Sequence, residues 1–190
     1  KIIYVDSLLL ISLDTFFGSN HVLYSGIPKY VRQQMDSKYL ASIFINKFAE
    51  SKILLPTERT LLSQMIYHGK KLYIKDILLP NKSDFIKICY TQDQIEWVKE
   101  NEIYIWQYFI EKQFLYNTAP SLIKRFIDPA PFSKFYLDID NESPGRVGQW
   151  IGWQIIRSYV KRFPETDIVT LLNLPSEEIF KKSNYKPRKK

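Results

Sequence analysis

The sequence predicts an α+β fold that is mainly helical, with a small N-terminal β-sheet packed by long helices. Three observations lead there. Apolar, β-prone runs are confined to residues 2–5 and 8–13, at the start of the chain. Apolar residues then recur at helical spacing over residues 60–78 and 91–115. A Pro-Gly pair at 144–145 opens a third such pattern, reaching about residue 162. With 190 residues, 45% hydrophobic and 15% aromatic, one domain over residues 1–182 is expected, able to bury about 70% of its unfolded surface.

The first apolar runs hold at least one strand, closing at Asp14 before Phe16, Phe17 and the turn Gly18-Ser19-Asn20. Gly26-Ile27-Pro28 marks a helix entry, and residues 29–35 and 39–49 read as helical with a break near Asp36-Ser37. In the 60–78 helix, Leu61, Met65, His68 and Leu72 share one stripe, so His68 is expected to point inward. Thr91 with Gln94 has the form of a capping box. The helix that follows carries Ile95, Val98, Glu102, Ile105, Trp106 and Phe109 on its inner stripe. A carboxylate there needs a partner, since burying it alone costs several kcal/mol, on the order of a full desolvation penalty; Arg146, Arg157 and His68 are the candidates. Ala119-Pro120 starts a short helix, and Asp128-Pro129-Ala130-Pro131 is a stiff extended connection. Phe163-Pro164 ends the third long helix, short helices follow near 168–174 and 176–180, and residues 183–190 are expected to form a basic disordered tail.

The helix after Pro144 has two unlike faces. Val147, Ile151, Ile155 and Tyr159 lie on one, beside Gly148 and Gly152. An interior helical glycine costs roughly 1 kcal/mol relative to alanine, so the expected use of these two is close approach by another backbone. Arg146, Gln149, Trp153 and Arg157 lie opposite, flanked by Trp150 and Gln154. One reading makes this face the wall of a polar cleft, lined also by Glu102 and floored by His68 and Gln64. The other packs both tryptophans under a loop and pairs the arginines with surface acids.

The run NESPGRVGQWIGWQIIRSY, with IDPAPFSKFYLDID and TLLSQMIYHGKKLY upstream, resembles the GldB family of gliding-motility lipoproteins of Bacteroidetes over nearly the whole chain. That resemblance implies a lipid-anchored cell-envelope component, at the outer membrane facing the periplasm, tied to type IX secretion. Its partners would be other motility and secretion envelope proteins. Lys1 followed by Ile-Ile-Tyr-Val is read as the start of a processed or partial chain, with the anchor outside it. The family is also similar in outline to zinc peptidases, which carry a comparable P-x-x-x-G-x-x-x-G helix, so a zincin-like scaffold is implied. Against the H-E-x-x-H pattern, Gln64 stands where the first ligand belongs, Met65 where the base belongs, and only His68 matches. In that frame Glu102 stands in for a third ligand.

Two histidines and one cysteine fall short of a zinc hydrolase's ligands, and no nucleophile elbow, phosphate loop or dinucleotide fingerprint is present. The expectation is therefore a non-catalytic binding or structural protein without a cofactor. The alternative is a divergent metal-dependent hydrolase using Glu102 or Glu142, which measurement of bound metal would reveal. A single cysteine, Cys89, excludes an intramolecular disulfide. The last ten residues carry six of the seven net positive charges, so the body is nearly neutral and no nucleic-acid partner is expected.

Overall fold

In the computed structural model, residues 2–5 and 8–187 are described. Strands β1 (Ile2–Val5) and β2 (Leu8–Ile11) form an antiparallel pair, with Ile2 opposite Ile11 and Val5 opposite Leu8. The expected second run stops at Ile11 because residues 13–15 coil into a 3-10 turn. After the short helix α1 (Lys29–Arg32), the Asp36 carboxylate accepts the Lys38 backbone N–H at 3.0 Å and starts the turn into α2 (Leu40–Glu50). The hairpin rests on α2, with the Tyr4 ring edge-on to Phe44 and Phe48. This corrects the expectation that the long helices pack the sheet. Only Ile2 of the hairpin is buried, while Leu8, Leu9 and Leu10 face outward, so the sheet has too small an inner face to organise a core.

The core is instead a crossing of two helices. Helix α3 (Leu61–Leu78) begins where the Thr60 hydroxyl accepts the Ser63 N–H at 3.1 Å, the expected N-cap arrangement. Helix α4 (Asp84–Ile88) ends at Cys89, which turns left-handed with φ 57°. The expected helix over residues 91–115 is two helices, α5 (Gln92–Glu100) and α6 (Glu102–Glu111). Asn101 separates them: its backbone leaves the helical region at φ −98°, ψ 6°, while its side-chain amide donates to the Trp97 carbonyl at 3.0 Å alongside its own N–H at 2.9 Å. The capping box at Thr91 and Gln94 is present.

Helix α7 (Pro120–Phe126) carries proline in its first turn, and α8 (Val147–Arg162) is followed by α9 (Ile168–Asn173) and α10 (Ser176–Ser183). Where α8 crosses α3, a Cβ added to Gly152 would fall on the Met65 carbonyl, and one added to Gly69 on the Gly152 carbonyl. Gly148 meets Ile127 and the Phe126 carbonyl in the same way. The two glycines of α8 thus allow the close approach expected of them. Val147, Ile151, Ile155 and Tyr159 are buried as expected, but so are Trp150, Trp153 and Ile156 on the other side. Helix α8 is enclosed nearly all round, and each such large side chain contributes roughly 1.5–3 kcal/mol by burial.

The ordered body also runs past residue 183. Ser183 and Tyr185 are buried, and the Tyr185 ring stands edge-on to Trp106 at 5.1 Å. The disorder expected from 183 is therefore not seen at these positions, because an aromatic side chain follows the left-handed Asn184 back onto α6. Residues 188–190 of the expected tail lie outside the described residues. Lys70 of α3 is buried, its ammonium donating to the Leu172 and Leu174 carbonyls at 2.9 and 2.7 Å at the end of α9. Among the described residues, no helix is long and apolar enough to cross a membrane.

Candidate functional site

The geometry of the site begins in the loop before α8. Ser133 donates through its hydroxyl to the Pro144 carbonyl at 2.8 Å, and Ser143 donates to the Ser133 carbonyl at 3.1 Å, both fully enclosed. Tyr90 donates its hydroxyl to the Gly145 carbonyl at 2.5 Å, and a Cβ at Gly145 would strike the Ala130 carbonyl. This clamp holds Arg146 at φ 68°, the left-handed region, so α8 starts at Val147 rather than at Pro144. Arg146 therefore leaves the helical face assigned to it. Its guanidinium lies over the Tyr90 ring at 5.0 Å and donates to the Cys89 carbonyl at 3.2 Å.

That detour carries Arg146 to the mouth of a pocket of about 240 Å³ between α2, α3, the end of α4 and the start of α8. His68, Lys71 and Lys75 line it from α3, Lys47 and Glu50 from α2, and Arg146 and Gln149 from the α8 side. Gln149 is oriented by donating its amide to the Ile127 carbonyl at 2.7 Å. Glu50 bridges Lys47 and Lys71 at 2.8 and 3.3 Å. Burial raises its pKa, but the two lysines outweigh that and leave it below its ordinary value. Lys75 is buried deepest, its ammonium donating to the Lys87 carbonyl at 2.8 Å. Burial, with Arg146 and Lys71 nearby, lowers its pKa to about 8 despite the opposing influence of Cys89. His68 is pushed down to about 3 by burial first, then by Lys71, Arg146 and Lys75, so it is a neutral imidazole at physiological pH. Asp128 stands exposed at the rim.

Of the seven residues read as one cleft, the structure brings His68, Arg146 and Gln149 together in this pocket. Gln64, half-buried one turn before His68, is not part of its lining. Trp153 and Arg157 belong to a second centre. The Arg157 guanidinium forms paired hydrogen bonds of 2.7–2.9 Å with both Asp76 and Asp84. It also stacks on the Trp153 ring at 3.8 Å, and the Trp153 indole donates to Asp76 at 2.9 Å. Lys87 completes that network through Asp76 at 2.8 Å. Glu102 forms a third centre, accepting from the Trp150 indole at 3.0 Å and the Tyr185 hydroxyl at 2.9 Å. None of the partners proposed for Glu102 from the sequence is the one bonded to it in these contacts.

Lys71 and Lys75 were not among the residues read as functional. Their signal was available, since they follow His68 by three and seven residues and so share its side of the helix. Among the described residues, no group of three or more His, Cys, Asp and Glu side chains is arranged to hold a metal ion. The pocket's chemistry is that of cations and amides gathered around a neutral histidine, which suits binding of a negatively charged group.

The fold is a mainly helical body built on a double-glycine crossing, with a polar pocket beside it. The family model described as gliding motility protein GldB matches residues 1–187, and the chain belongs to that family. Membership makes it a component of gliding motility, in a lipoprotein family. No curated protein and no solved structure matches the chain.

Proposed function

We propose that the protein is a non-catalytic component of the gliding apparatus, linked to type IX secretion and lipid-anchored at the outer membrane facing the periplasm. In this reading a zincin-like scaffold has kept its frame and lost its chemistry, and the pocket of His68, Arg146 and Gln149 binds a segment of another motility or secretion protein. The observation that carries it is the pocket itself: His68 and the distant pair Arg146 and Gln149 converge on about 240 Å³ of space with a partly polar lining, with Arg146 held there by a strained backbone. Loss of catalysis is supported by Gln64 and Met65, which occupy the positions of a zinc ligand and a general base in the H-E-x-x-H pattern.

The test is complementation of a gliding-deficient strain with an Arg146→Asn, Gln149→Leu double variant. Asparagine tolerates the left-handed backbone at 146. The expected result is loss of spreading at unchanged abundance in the membrane fraction. Wild-type spreading at equal abundance overturns the reading.

A further inference from the structure

The cations around the pocket are unequally compensated. Lys47 and Lys71 share Glu50. Lys75 and Arg146 take part in none of the ion pairs formed among the described residues; their hydrogen bonds go to the carbonyls of Lys87 and Cys89. An ammonium has three donors and a guanidinium five, so both keep donors to spare. An enclosed cation without an acid is costly unless something else compensates it. Each lowers the proton affinity of His68, so all three sit within one another's field. Leu72, Ile88 and Ile127 supply apolar parts of the lining, which strengthen the attraction between these cations and an anion beside them; Gln34, Asn46 and Cys89 add polar groups, and the one further acid, Asp128, stands exposed at the rim.

We infer that the pocket is an oxyanion site, in which Lys75 at the floor and Arg146 at the mouth hold a group of one to two negative charges. This rests on the pocket being the functional site and adds the chemistry of its occupant: a carboxylate at an acidic chain end, or a phosphate. Arginine presents a planar fork to either. His68, neutral and facing the same space, supplies a hydrogen-bond donor or acceptor to the bound group without adding charge. Lys71, already neutralised by Glu50, fixes the wall and is not a ligand.

Isothermal titration of the full chain with inorganic phosphate, with a hexapeptide ending in glutamate, and with the same peptide amidated at its C-terminus tests this. The expected result is binding of phosphate or of the free-acid peptide, weakened at least tenfold by Arg146→Asn and by Lys75→Met, and unaffected by Lys161→Met on the exposed end of α8, outside the pocket. Preference for the free-acid peptide over its amide assigns a chain end, and phosphate binding alone assigns a phosphate source. Should Lys75→Met fail to fold by its thermal transition, Arg146→Asn carries the test. The inference is overturned if no oxyanion binds the wild type, or if binding survives Arg146→Asn. The two proposals fail separately. Loss of gliding in the Arg146→Asn, Gln149→Leu variant without oxyanion binding sinks only the oxyanion site, while oxyanion binding with normal gliding sinks only the functional reading.

Discussion

Gly152 of α8 lies directly against the Met65 carbonyl of α3, with Gly69 closing the same contact from the other helix. The two backbones touch with no side chain between them. Gly152→Ala would gain roughly 1 kcal/mol of helix propensity, but its methyl has nowhere to go, because the obstacle is backbone and not a mobile side chain. The expected net result is destabilisation by about 3 kcal/mol, near the upper range for overpacking, seen as a lower urea midpoint with unchanged slope.

Asp76 accepts from Arg157, Trp153 and Lys87 at once. Asp76→Ala leaves the Lys87 ammonium and the Trp153 indole without that acceptor, while Arg157 keeps Asp84. A loss of about 2–3 kcal/mol is expected, less than for a fully dry ion pair since the group is partly solvated. A double-mutant cycle with Trp153→Phe checks it: the indole bond should account for about 1 kcal/mol of the total.

The Tyr185 hydroxyl and the Trp150 indole converge on the Glu102 carboxylate. Tyr185→Ala should free the chain end from α6, raising its rate of proteolysis and amide exchange from about residue 183 onward while leaving α3 and α8 protected. Tyr185→Phe removes one hydrogen bond and should cost about 1 kcal/mol. Equal protease sensitivity of wild type and Tyr185→Ala contradicts the docked end.

His68 and Lys75 make stability depend on pH with the same sign in two windows. The folded pKa of His68 is about 3 against 6.5 for the free side chain, because burial and then Lys71, Arg146 and Lys75 oppose its protonation. Between those values the unfolded chain binds the extra proton, so stability falls as pH drops from 6.5 toward 3. Lys75 titrates near 8 instead of 10.5, burial being the main cause. The unfolded chain again binds more protons in that interval, so stability rises as pH increases from 8 to 10.5. Urea midpoints measured across both windows should show a shallower acidic slope in His68→Gln and a shallower alkaline slope in Lys75→Met, the remaining alkaline slope belonging to Lys70, which burial also lowers to about 8.

What was legible in the sequence was what local rules govern. The Thr91–Gln94 pair announced a helix start, and Gly148 and Gly152 announced a close backbone neighbour. The identity of that neighbour was not legible, since Met65 and Gly69 are far away in sequence and nothing near Gly152 specifies them. The same separation hid the destination of Trp153 and Arg157, whose acids Asp76 and Asp84 lie on and just after α3. The apolar stripe from Ile95 to Phe109 continues across Asn101, so the stripe alone gave no sign of the break there, which is a change of backbone angles at that one residue. Arg146 was misassigned to a helical face because its left-handed backbone is imposed from outside, by Tyr90 and Ala130. Lys71 and Lys75 look like solvent-facing residues by composition, although their spacing from His68 sets them on its side of α3, where the elements packed around the pocket bury them.

Lys70, Lys71, Lys75 and Lys87 are all buried, which separates the protein's composition from its surface potential. With six of the seven net charges in the last ten residues and four more cations withdrawn inside, the solvent-facing body offers little long-range attraction to a polyanion. Lys71 and Lys75 are met only on entry to the pocket, in a space where salt screens weakly compared with the roughly 8 Å Debye length outside at physiological ionic strength. On the oxyanion reading, selection would be by access to an interior charge, and the hold on an anion should change little as the salt of the surroundings rises and falls.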